Sequence, residues 1–75
     1  MPFHPLAPGS KGDEVKEMQR ALIAKGYSCG AAGADGRFGD HTLTALEAFQ
    51  DNSALKVQPL CDATTWAALG LKQMS

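Results

Sequence analysis

Asp35-Gly36-Arg37-Phe38-Gly39-Asp40-His41-Thr42 decides how this chain folds, because it occurs twice. A degenerate copy, Gln58-Pro59-Leu60-Cys61-Asp62-Ala63-Thr64-Thr65, follows at a constant offset of 23 residues (35 to 58, 42 to 65). Each copy opens into an apolar helical pattern: Leu43, Ala45, Leu46 and Phe49 after the first, Trp66, Ala68 and Leu69 after the second. Asp35-Gly36 reads as a tight turn, since Asp bonds its own backbone and Gly accepts positive φ. Phe38 reads as a plug between helices. Asp40 and Asp62 read as helix N-caps, with a threonine close behind each.

Working outward, Val15, Met18, Ala21 and Leu22 fall on one helical face, with Glu14, Lys16, Glu17, Arg20 and Lys25 mostly opposite. Ser10 with Asp13 resembles a capping pair, and Gly26 supplies the stop. The spacing predicts helices over about 13–25, from Asp40 to about Asp51-Asn52, and over about 63–70. Pro59 excludes helix from the second turn. The glycine-rich segment from Tyr27 to Gly39 reads as a loop. The class is all-α: a small three-helix orthogonal bundle with two long loops and an internal pseudo-repeat. Residues 1–9 carry three prolines and read as a leader, linker or arm lying on the domain. The domain itself is placed at 10–72 and a tail at 73–75.

Seventy-five residues make one domain, and 44% apolar content suffices for one small core. Net charge is −1, and the seven Lys and Arg residues are interleaved with acids. A nucleic-acid binder shows a clustered basic face, so that class is set aside. No apolar run approaches membrane-spanning length, and the first residues lack a signal peptide's basic start and apolar stretch. Cys29 and Cys61 are read either as two small buried thiols or as a disulfide. With His4 and His41 they do not fall at zinc spacing, so no metal site is expected. His41 has no Ser/His/Asp or Cys/His constellation around it, and Asp35 and Asp40 are better explained as turn and cap than as an acid–base pair. No catalysis and no cofactor are expected. Gln19 and Gln50 each follow an apolar core position in a helix. Their amides are read as ties on the loop backbone, or else as ligand contacts.

Gly9-Ser10-Lys11-Gly12-Asp13-Glu14-Val15, Met18-Gln19-Arg20-Ala21-Leu22 and Gly26-Tyr27 resemble the opening of the peptidoglycan-binding domain family of bacterial cell-wall hydrolases and phage endolysins. Gly33 to Gly39, Thr42, Ala45 and Phe49-Gln50 resemble its middle, and Thr65-Trp66-Ala67-Ala68-Leu69 its end. The resemblance covers residues 8 to 71. Three departures stand out: Gln58, Pro59 and Asp62 at the second turn, Met18 for a leucine, and Ala54 where a glycine commonly precedes the connector leucine.

The resemblance implies a non-catalytic module that tethers a cell-wall hydrolase to peptidoglycan, working as a monomer on the cell-wall-facing side. Peptidoglycan or its stem peptide is the expected partner, with a covalently linked hydrolase domain. A protein-docking module of the same fold is the alternative. A groove for such a ligand needs amide donors, a cation and a ring or two. Tyr27, Asp35, Gly36, Arg37, Thr42 and Gln50 are the candidate ligand residues. The start of the second helix, at Asp40-His41-Thr42, is a candidate seat for a stem-peptide carboxylate.

Overall fold

A computed structural model describes residues 5–71. The first four residues of the leader, His4 among them, and residues 72–75 with the tail lie outside the described residues. Three helices follow one another: α1 (Asp13–Ala24), α2 (Asp40–Asn52) and α3 (Ala63–Ala68). Two isolated antiparallel bridges tie the loops, Leu6 to Cys61 and Lys11 to Arg37. The all-α expectation holds.

Helix α1 buries Val15, Met18, Gln19 and Leu22, and α2 buries Thr42, Ala45, Leu46, Phe49 and Gln50. Positions three and four apart share a helix face, so each set forms one stripe. Leu43, expected in the core, is only partly buried; Thr42 occupies the inner face instead. From α3 and its end come Trp66 and Leu69, and Phe38 descends from the first turn. Burying each large side chain contributes roughly 1.5–3 kcal/mol.

All three helices end in the same way. Gly26 N bonds Ile23 O while Tyr27 N bonds Leu22 O. Ala54 and Leu55 repeat this on Asp51 and Gln50, and Gly70 and Leu71 on Ala67 and Trp66. These are Schellman motifs, each with a left-handed residue just past the helix: Gly26 at φ 95°, Ala54 at φ 59°, Gly70 at φ 82°. The residue after it, Tyr27, Leu55 or Leu71, packs on the core. One device thus stops each helix and turns the chain back over its own apolar face.

Helix starts differ from expectation. Gly12 is the N-cap of α1, with no side-chain cap bond. Ser10 accepts instead from Ala7 N at 3.1 Å, while its carbonyl receives Phe38 N. For α2 the N-cap is Gly39, and Asp40 is the first helical residue with no capping bond. Only Asp62 caps as expected, accepting from Thr65 N at 2.9 Å. Position 62 is the repeat partner of 39, not of 40, which puts the first copy's carboxylate one residue too late to cap.

Leu6 and Cys61 exchange both backbone hydrogen bonds, at 3.1 and 2.7 Å. Cys61 stands where the repeat places Phe38 in the first copy, and both are buried. The second turn therefore plugs the core with a small thiol and the neighbouring Leu6. Cys29 and Cys61 are both free thiols, so the disulfide reading is not met. Their sulfurs face different carbonyls, Gln19 O for Cys29 and Asp62 O for Cys61.

Candidate functional site

The two turns are held by two buried glutamines. Gln19 Nε2 donates to Arg37 O (2.8 Å), Thr42 Oγ1 (2.9 Å) and Asp35 Oδ1 (3.1 Å), while Gly36 N donates to Gln19 Oε1 (2.8 Å). Gln50 Nε2 donates to Leu60 O (3.0 Å) and Thr65 Oγ1 (3.4 Å), while Gln58 N donates to Gln50 Oε1 (3.1 Å). The carbonyls and threonines correspond at the offset of 23. The donor does not: the partner of Gly36 is Pro59, which has no N–H, so the bond moves one residue back to Gln58. Among the described residues no buried side-chain nitrogen or oxygen lacks a partner.

This geometry sorts the candidate ligand residues. Gln50 is 0% exposed and both ends of its amide are engaged within the chain. Thr42 is 2% exposed with its hydroxyl on Gln19. Gly36 is buried, and a Cβ there would lie 3.3 Å from Gly12 O. Thr42 and Gly36 belong to the clamp of the first turn and Gln50 holds the second, and all three offer a ligand little surface. Asp35 and Arg37, on either side of Gly36, are exposed. Tyr27 is separate: its ring meets Phe49 edge-on at 5.8 Å and its hydroxyl accepts from Asn52 at 3.0 Å.

A groove of about 450 Å³ opens on one side of the turn, lined among others by Cys29, Gly30, Asp35, Arg37, His41 and Thr42. The His41 ring packs against Gly30, where a Cβ would come 2.8 Å from His41 Cγ. A second groove of about 330 Å³ lies on the other side, lined by Lys11, Gly12, Asp13, Lys16 and the turn. Asp35 and Arg37 line both. A third, of about 380 Å³, contains Tyr27 with Ile23, Gly26 and Cys29. Sequence reading missed Lys11, Lys16 and the Gly30–His41 contact. Each depends on segments far apart in the chain, and only the glycine at position 30 hinted at a close approach.

The Asp35 carboxyl lies below the ordinary carboxylate range, first because it accepts from Arg37 N and then from the Gln19 amide. It is therefore an anion at neutral pH. Burial pushes the Cys61 thiol up to about 12, and burial followed by the Asp35 charge raises Cys29. Neither sulfur is a thiolate nucleophile at neutral pH. The arrangement presents exposed charges of both signs on a backbone held rigid from beneath.

The three helices thus carry a turn clamped from beneath with its charged ends displayed at the surface. The family profile described as "Putative peptidoglycan binding domain" matches residues 11–69, and the chain belongs to that family. The SleB N-terminal domain superposes with a TM-score of 0.84 at 31% identity, covering 93% of each chain. The N-acetylmuramoyl-L-alanine amidase CwlL of Bacillus licheniformis is 35% identical over 71 residues, and the type VI secretion system spike protein VgrG3 of Vibrio cholerae is 57% identical over 42. This chain spans 20% of the length of the first and 4% of the second.

Proposed function

We propose that this domain binds peptidoglycan and holds a cell-wall hydrolase against it, without chemistry of its own. It works as a monomer on the cell-wall-facing side of the membrane. Tethering raises the local concentration of an attached catalytic domain without any new catalytic group. The observation that carries this reading is the Asp35-Gly36-Arg37 turn, exposed at its charged ends and clamped underneath by Gln19. A preorganised surface loses little entropy on binding, which suits a small module with one shallow site.

Sedimentation with purified sacculi tests the reading: the domain should pellet with them and release no muropeptides. Arg37→Ala should weaken pelleting with the melting temperature shifted by less than about 2 °C, as for an exposed side chain. Remaining in the supernatant across pH and salt would exclude peptidoglycan binding. Capture of a protein partner in its place would favour docking.

A further inference from the structure

The smaller groove beside the turn carries an arrangement of charge that folding does not require. Lys11 and Arg37 form an antiparallel bridge. Its hydrogen bonds, Gly12 N to Gly36 O and Phe38 N to Ser10 O, both 2.9 Å, flank the pair rather than join it. Lys11 and Arg37 are therefore a non-hydrogen-bonded pair, the kind whose side chains stand closest on one face. Like charges directly opposed in this way cost stability. Lys16, one turn into α1, adds a third cation, with its Cβ 4.0 Å from where a Gly36 Cβ would stand. Asp13 and Asp35 supply the negative charges of the same groove. Glu14 brings a third carboxylate to the rim, its Oε1 3.8 Å from where a Gly12 Cβ would stand, so both signs of charge face the groove in equal number.

We infer that this groove takes the zwitterionic head of a diamino-dicarboxylic residue in the stem peptide, its carboxylate between Lys11 and Arg37 and its ammonium toward Asp35. The inference rests on the proposed peptidoglycan binding and names the part of the polymer that is read. A neutral N-acetyl sugar calls for a ring to stack on, and among the described residues no aromatic side chain lines this groove. A lone carboxylate would meet Asp35 and Asp13 unanswered, and a lone ammonium would leave the opposed Lys11 and Arg37 unanswered. A head bearing both groups answers both signs and relieves the Lys11–Arg37 opposition. The clamp of Gln19 on Arg37 O and Gly36 N fixes the backbone from which these charges project.

Calorimetry on the full chain tests this with four probes. They are a muramyl tripeptide ending in meso-diaminopimelate, the same peptide with the distal carboxylate amidated, its lysine analogue, and the peptide-free disaccharide. The first should bind, and the others should be weaker by about tenfold or more, as for loss of a charge-assisted contact. Lys11→Ala with Arg37→Ala should weaken the first probe and erase its advantage over the amidated one, with a melting temperature no lower than that of the parent, since the opposed charges are gone. Equal affinity for the acid and the amide overturns the inference. So does equal pelleting on intact sacculi and on amidase-stripped glycan, an outcome that leaves peptidoglycan binding standing. Failure to pellet on intact sacculi removes both.

Discussion

At the scale of single residues, the two buried glutamines explain most of what the repeat is for. Gln19 holds Gly36, Arg37 and Thr42 at once, so Gln19→Ala leaves several buried groups unmatched. The expected cost is about 3 kcal/mol in denaturant unfolding, well above that of an ordinary surface change. Ala54 gives the opposite case. It holds φ 59° with a Cβ, where Gly26 and Gly70 close the other two helices without one. Ala54→Gly should therefore stabilise the fold by about 1 kcal/mol, read as a higher denaturation midpoint. The sequence showed Ala54 as a departure from the family; the positive φ turns that departure into a local strain. Gln19 and Gln50 were legible as polar residues beside core positions, but the bonds they make depend on which loop folds over them.

Among the elements, α3 is short enough that its start matters. Asp62 accepts from Thr65 N and from Gln58 Nε2, and the Thr65 bond is the main reason its carboxyl lies below the ordinary range. A depressed folded value means that the unfolded chain takes up the proton first on acidification. The stability Asp62 contributes is thus complete above the unfolded carboxyl range, about pH 4, and is lost as pH falls through the lower folded value. Melting temperature should drop between about pH 5 and pH 3, and Asp62→Asn, which keeps a capping oxygen, should flatten part of that slope. Helix existence and most of each inner face were readable from period, but in α2 Thr42 and not Leu43 turned inward. The starts of α1 and α2 were not, because glycines take both N-cap positions, the Ser10 side chain bonds Ala7 N, and the Asp40 side chain makes no capping bond.

For the whole molecule, one small core serves three helices, so its plugs are hard to replace. Phe38→Ala should cost about 3–5 kcal/mol, the usual range for a buried aromatic, and should lower the melting temperature sharply where Arg37→Ala does not. Equal losses in both variants would contradict the separation of plug from display. Cys61 should react with a thiol reagent only after denaturation, because it is 0% exposed and its thiol is raised to about 12. Rapid labelling of Cys61 in the native protein would show that the core opens locally. Periodicity and turn chemistry in the sequence determined the three helices, most of their inner faces, the Gly26 and Gly70 stops and the doubled turn, since these follow from neighbours a few residues apart. Family membership was legible in the same motifs, because their order and spacing run through most of the chain. Tertiary structure alone decided that Leu6 completes the second plug, that the two thiols stay apart, and that Lys11 stands opposite Arg37. Those are contacts between segments many residues apart, and no local period encodes which of them meet.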